Sequence, residues 1–228
     1  MDIEKVIRVI EENDHIYKIL KNCPYRILKK WSVHTYQKGE FVIHQGETFK
    51  YFNIIVKGEV NIYMMSENGK KYSQAIYKKG DFIGEIEIFD NSPSVCFVES
   101  LTHLKVLRIP VEDFLDWIHI DSHMSYYFNQ VLARYLFNLS KKAGMDSLYP
   151  LNHRLSNYLI HHAKLKHNNC YIVKMSRSQI ADQLAVTSRS ISRILHEWKE
   201  QGIIQVESDC ITIFNIECLK KVTKDDEL

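Results

Sequence analysis

The sequence predicts an α+β fold in two parts, and three observations carry that reading. The first half consists of short β-rich runs punctuated by glycine, a helix-rich stretch follows Pro110, and residues 175–202 read as two short amphipathic helices with a β-hairpin behind them. At 228 residues and 45% apolar content, the chain can build two modest cores without disulfide or metal support.

The β-rich texture runs from Lys38 to about Pro110. Phe41-Val42-Ile43, Phe52 to Val56, Val60 to Tyr63 and Phe82-Ile83 are strand-like, and Gly39, Gly46, Gly58, Gly80 and Gly84 stand between them. Strands of this length separated by glycine turns predict an antiparallel sandwich or roll. Asn68-Gly69 adds a hairpin turn, because both residues tolerate positive φ.

Helix formers and apolar residues dominate from Val111 to about Ala143. Met124, Phe128, Val131 and Tyr135 recur at spacings of four and three, the pattern of a coiled-coil seam, and are assigned to a dimer interface. The competing reading packs the same stripe against the chain's own barrel. Leu132, Leu136 and Leu139 form a second apolar row, so one row can serve the barrel and the other a partner.

Ser176 is placed to cap the first of the two short helices, whose buried stripe is Ile180, Ala181 and Leu184. After the Ala185-Val186 turn, Thr187 or Ser188 caps a second helix. Ile191, Ile194, Leu195 and Trp198 face inward, leaving Arg189, Ser190, Ser192 and Arg193 outward. Long cations beside short hydroxyls suit the major groove of DNA, where arginine grips guanine O6 and N7 and hydroxyls reach phosphates or base edges. The candidate DNA contacts are therefore Arg177, Thr187, Ser188, Arg189, Ser190, Ser192 and Arg193, with Lys174 and Arg177 suited to phosphate. Ile204-Gln205-Val206 and Ile211 to Phe214 flank a Glu207-Ser208-Asp209 turn, which makes a wing behind a helix-turn-helix.

The formal charge of +2 argues against nonspecific coating of nucleic acid; DNA affinity must come from one local surface. The amino terminus carries charges throughout, and no stretch approaches the roughly 20 apolar residues of a membrane span, so a cytoplasmic protein without membrane contact is expected. Cys23, Cys96, Cys170, Cys210 and Cys218 are odd in number and contain no Cys-x-x-Cys pair, which points to reduced thiols. His119 and His123 have a helical metal-ligand spacing, but two ligands fall short of a site, and His161-His162 diverge on a helix; no metal and no cofactor are expected.

Over nearly its full length the chain resembles the Crp/Fnr regulators. The resemblance rests on the Gly-Glu turns at 39–40 and 46–47, Val56-Lys57-Gly58-Glu59-Val60, Lys79-Gly80-Asp81-Phe82-Ile83-Gly84-Glu85, the helix after Pro110 and the winged helix-turn-helix, all in order. It implies a double-stranded β-helix (jelly-roll) sensor barrel over 1–115, a dimerisation helix over 116–145 and a DNA-binding domain over 146–228. It further implies a homodimer on a palindromic operator, with RNA polymerase as an expected partner. Arg193 stands where the family reads a guanine, Ser192-Arg193 resembles the Ser-Arg pair of the Fnr branch, and Arg189 occupies a place usually held by glutamate.

In the family, Gly84-Glu85 opens the cassette that holds a cyclic nucleotide, the glutamate meeting the ribose and a later arginine the phosphate. Here the arginine position and its neighbour hold Val95 and Cys96, and no lysine or arginine occurs between Lys79 and Lys105. A buried phosphate facing Glu85 and Glu87 without a cation would be repelled. Cyclic AMP is thus not the expected effector, and Gly84, Glu85, Ile86, Val95 and Cys96 form a candidate pocket for an unidentified small molecule, unless the regulator is constitutively active. Cys23 and Cys96 are too few for an Fnr-type iron-sulfur cluster. The cassette without its arginine, with Pro150-Leu151-Asn152-His153-Arg154-Leu155, looks most like a YeiL-like branch.

Two other functions compete. Cys96 could make the barrel redox-responsive, although no cation near it in sequence stabilises a thiolate, and a buried thiol acting as a small hydrophobe is the plainer reading. A small-molecule-binding barrel or enzyme with a vestigial DNA domain is the other, but His34, His44 and His103 are scattered singly rather than grouped as a metal centre, so no enzyme is expected.

Overall fold

The structure of the protein is a computed structural model that describes residues 3–48, 50–89, 92–166 and 170–224. Helices α1 (Ile3–Glu11), α2 (Asp14–Leu20) and α3 (Tyr25–Leu28) precede eight strands: β1 (Ser32–Tyr36), β2 (Phe41–Ile43), β3 (Tyr51–Lys57), β4 (Val60–Met65), β5 (Lys71–Tyr77), β6 (Phe82–Ile83), β7 (Phe97–Ser100) and β8 (Leu104–Pro110). Helices α4 (Val111–Ile120), α5 (Ser122–Leu148) and α6 (Leu151–His162) follow. The remainder is β9 (Lys164–Leu165), β10 (Tyr171–Val173), α7 (Arg177–Gln183), α8 (Ser188–Glu200), β11 (Ile204–Val206), β12 (Ile211–Ile213) and α9 (Ile216–Lys224). Backbone contacts divide the chain into two compact units, residues up to 68 with 74–139, and 69–73 with 140 onward.

In the first unit two four-stranded antiparallel sheets, ordered β1-β8-β3-β6 and β2-β7-β4-β5, form the roll that the glycine-punctuated strands predict. Alternation along the strands sorts the core into two layers. Phe52, Ile54 and Val56 of β3 pack with Leu107 and Ile109 of β8 against the helices, while Ile55, Leu104 and Val106 point between the sheets toward Ile62, Ile83 and Val98. Gly58 turns β3 into β4 at φ +97, and a Cβ there would lie 2.6 Å from the His103 carbonyl oxygen, so this turn requires glycine.

The helical side of the core is aromatic. Phe52 stacks on Phe114 with ring centroids 3.6 Å apart, Phe128 meets Phe114 at 5.4 Å and Phe82 at 5.8 Å, and Trp31 meets Trp117 at 6.2 Å. This arrangement corrects the dimer-seam assignment. Met124, Phe128 and Val131 are buried against their own barrel, and Tyr135 stacks on Tyr77 at 4.6 Å, so the row expected to face a second copy is turned inward. Tyr126, Leu136, Phe137, Leu139 and Leu148 are large apolar residues that α5 leaves exposed.

The sequence reads 111 to 143 as one helix, but the structure breaks it at Asp121. That residue is extended (φ −115, ψ 97), and its Oδ1 accepts main-chain N–H groups of His123 (3.0 Å) and Met124 (3.2 Å) while Oδ2 accepts from the Trp117 indole at 3.1 Å. One aspartate therefore stops α4 and caps α5, using its side chain in place of a helical carbonyl. The expected 115/116 boundary lies inside α4, and the division at 139/140 lies inside α5.

The second unit packs α6 to α9 on a small antiparallel sheet ordered β11-β12-β10-β9. Its core joins Leu155 and Leu159 of α6, Ile180 and Ala181 of α7, Ile191, Ile194, Leu195 and Trp198 of α8, and Ile211 and Ile213 of β12.

Candidate functional site

The helix-turn-helix is fixed by side-chain caps at both helix starts. Ser176 Oγ accepts the Gln179 N–H at 3.3 Å and Gln179 Oε1 accepts the Ser176 N–H at 2.9 Å, a reciprocal capping box. Thr187, not Ser188, caps α8: its Oγ1 accepts the Ser190 N–H at 3.2 Å and lies 2.9 Å from Ser190 Oγ. Between the helices Ala185 sits at φ 55, the only non-glycine with positive φ among the described residues, and the main-chain N–H of Val186 reaches the Ala181 carbonyl at 3.0 Å.

The caps set which side chains remain available. Arg177, Ser188, Arg189 and Arg193 are exposed and Ser192 is half-buried, whereas the hydroxyls of Thr187 and Ser190 are engaged in the cap. Arg193 stands 3.7 Å from Glu197 one turn on, with its side chain 72% exposed, a loose surface pair that a ligand can replace. A cleft of about 150 Å³ beside α8 is lined by Arg177, Ser192, His196, Lys199, Leu195 and Val206. His196 and Lys199 escaped the reading of the sequence, although they repeat the face of Ser192 at helical spacings of four and three. The wing is β11 and β12, closed by the Glu207 N–H on the Cys210 carbonyl at 2.8 Å.

In the first unit the two sheets and α5 enclose a cavity of about 700 Å³. Gly84, Glu85, Ile86, Val95 and Cys96 all line it, with apolar walls from Ile43, Ile62, Ile83 and Val98. Gly80, beside the cavity, sits at φ +88, a left-handed conformation that favours glycine, and a Cβ there would require the exposed His15 ring to shift.

Glu85 is buried, and burial pushes its carboxyl up to about 7. Main-chain N–H groups of Glu85 and Gly84 and the Tyr77 hydroxyl, which donates at 2.8 Å, pull the other way, and the neighbouring Glu87 raises it further. Burial, then Glu87 and Glu85, push the Cys96 thiol up to about 12, and its Sγ lies 3.4 Å from Gln74 Oε1. Tyr135 donates to Asp81 Oδ1 at 3.1 Å and accepts the Phe82 N–H at 3.0 Å, which ties α5 to the cavity wall within this unit.

Residues 33–121 match the cyclic nucleotide-binding domain and residues 132–222 the Crp-like helix-turn-helix domain. The chain belongs to the Crp/Fnr family. The cAMP-activated global transcriptional regulator CRP of Salmonella typhimurium is 26% identical over 187 residues, covering 80% of this chain and 89% of that protein. The probable transcriptional regulator flp of Lacticaseibacillus casei is 26% identical over 181 residues, covering 79% and 82%. Solved structures share the fold at lower identity. The c-di-GMP responsive regulator CLP of Xanthomonas campestris has a TM-score of 0.78 at 16% identity over 87% of this chain and 99% of that one. FixK2 of Bradyrhizobium japonicum has a TM-score of 0.65 at 21% identity over 84% and 96%.

Within the Crp/Fnr frame the cavity departs from a phosphate site in its charge. Of the two positions expected from the resemblance to carry a phosphate grip, Val95 is half exposed, and Cys96 is buried with its thiol pushed up to about 12. Tyr77, Gln74 and Tyr135 also line the cavity and are not marked in the sequence, because they come from β5, just ahead of the cassette, and from α5 rather than from the cassette itself. Among the described residues no group of three or more His, Cys, Asp and Glu side chains is positioned for a metal ion, and no helix is long and apolar enough to cross a membrane.

Proposed function

We propose that the protein is a homodimeric, sequence-specific transcription regulator of the cytoplasm that reads a two-fold palindrome with α8 and is governed through the barrel cavity by a ligand other than cyclic AMP. The observation that carries this reading is the outward face of α8. Arg189, Ser192 and Arg193 stand clear of the core formed by Ile191, Ile194, Leu195 and Trp198, on a helix whose start is held by the Thr187 cap.

Arg193 offers a planar fork to guanine O6 and N7. Arg189 places a donor where the family usually has an acceptor, so base preference changes at that step. Arg177 and Lys174 neutralise phosphate and set register. The exposed row Leu136, Phe137 and Leu139 on α5 supplies the apolar surface a second copy would cover, and two α8 helices then meet half-sites one helical turn apart, about 10 base pairs. RNA polymerase is the expected protein partner at a regulated promoter. The raised thiol of Cys96, far from a thiolate at neutral pH, argues against a redox trigger.

Selection of bound sequences from random duplex DNA, using the full chain at low salt and no added ligand, tests this reading. A two-fold palindrome with a guanine in each half-site is expected. An asymmetric single half-site would overturn the dimer, and no enrichment would mean either that DNA competence requires an effector or that α8 does not read DNA.

A further inference from the structure

The charge of the cavity is unevenly distributed. Its buried charged side chains are Glu85 and Glu87, both more than nine-tenths buried, and Asp81 beside them is half-buried. The cations of the lining, Lys78, Lys79 and Arg134, are all exposed. Asp81 is satisfied by the Lys78 N–H at 2.8 Å and the Tyr135 hydroxyl at 3.1 Å, and Glu85 by Tyr77. Glu87 is different: among the described residues no hydrogen bond from another group holds its carboxylate, whose oxygens are not sealed off but line the cavity beside Glu85 and Cys96.

A carboxylate that lines a cavity with no protein donor of its own leaves its acceptor capacity unfilled, a modest penalty, and a second carboxylate next to it adds repulsion. A ligand that brings a positive charge and N–H donors removes both penalties at once; one that brings a phosphate or carboxylate adds to them. Tyr77 and Tyr135, stacked on each other at 4.6 Å, add an aromatic wall that also favours a cation, and the Ile62, Ile83 and Val98 side chains call for an apolar body.

We propose that the cavity takes a small organic cation, an ammonium or amidinium on a compact apolar or aromatic body, with its charged head between Glu85 and Glu87. The proposal rests on the reading of this cavity as the effector site and names the chemical class of the effector. Glu87 is the recognition residue and Glu85 its partner; the exposed Lys78, Lys79 and Arg134 repel a second positive charge at the opening and so select for monocations or for zwitterions whose anionic end stays outside.

The test is isothermal titration of the full chain, without DNA, using three molecules that share one ring: tyramine (cation), tyrosol (uncharged) and 4-hydroxyphenylacetate (anion). Butylamine and butanol serve as an aliphatic pair, and cyclic AMP as the phosphate probe. Each amine is expected to bind at least about tenfold more tightly than its alcohol, with no detectable binding of the carboxylate or cyclic AMP. Glu87→Gln is expected to reduce amine affinity about tenfold while leaving alcohol affinity and the circular dichroism spectrum unchanged. If neither amine exceeds its alcohol, or if an anion binds more tightly than the amines, the proposal is wrong. Because no DNA is present, that failure leaves DNA reading by α8 untouched. Amine binding that leaves affinity for a selected operator unchanged would instead retain the ligand class and remove the effector role.

Discussion

Replacing Glu85 with glutamine should change how the barrel's stability depends on pH. The Glu85 carboxyl is held at about 7 in the folded chain, against an ordinary value of 4.5. Because the folded value is the higher one, the native state binds the extra proton between these limits, and stability is full below about 4.5 and falls as pH rises toward 7. At about 1.4 kcal/mol per pH unit, the fall from this one group is about 3 kcal/mol. Glutamine keeps an oxygen for the Tyr77 hydroxyl but cannot ionise, so the variant should lose that slope. It should be about 1–3 kcal/mol more stable than wild type at pH 8, with the gap closing at pH 4.5. Urea unfolding is the assay, followed by fluorescence of Trp31 and Trp117, both fully buried in the barrel unit, on a Trp198→Phe background. Other titrating groups are common to both proteins and cancel in the difference. Identical pH dependence of the two proteins from 4.5 to 8 would refute the reasoning.

Phe128→Ala should destabilise the barrel by about 3–5 kcal/mol in the same assay, because the ring is buried among Phe82, Phe114 and Phe52; a cost below about 1 kcal/mol would return that side chain to a dimer seam. Ala185→Gly should raise the stability of the helix-turn-helix unit by about 1 kcal/mol, read from Trp198 fluorescence, since Ala185 holds a left-handed conformation that glycine adopts without steric cost. Arg177→Ala should weaken binding about equally to matched and mismatched duplexes and lower the slope of log K against log salt by about one, measured by fluorescence anisotropy; a changed base preference would contradict its assignment to phosphate.

Much of the carboxy-terminal site was legible because its signals are local. Ser176 with Gln179 and Thr187 with Ser190 announce helix starts within four residues, and the inward stripe of α8 follows directly from its spacing. The inward face of α5 is ambiguous in the sequence for a physical reason. A row spaced four and three serves a helix lying on a sheet as well as a helix lying on its twin, and only depth distinguishes them: Phe128 is buried by Phe82 and Phe114, which arrive from β6 and α4. Asp121 breaks the long helix with a signal that was present, an aspartate ahead of Ser122, but hidden inside an otherwise helical stretch. Strands β9 and β10, of two and three residues, are too short to show alternation. In the cavity, the cassette residues Glu85 and Cys96 follow from a local motif, whereas Tyr77 and Gln74 lie on β5 just ahead of that motif without a signal of their own, and Tyr135 depends on tertiary packing of α5.

The central claim is that Arg193 reads a guanine in each half-site, and a double-mutant cycle tests it most directly. Wild type and Arg193→Ala are each titrated, at one salt concentration, with the selected palindrome and with a duplex in which that guanine is replaced in both half-sites. Wild type should lose about 1–3 kcal/mol per half-site on replacement, and Arg193→Ala should bind the two duplexes alike. Equal discrimination by both proteins would show that another side chain reads the base, and would contradict the assignment of α8 as this account gives it.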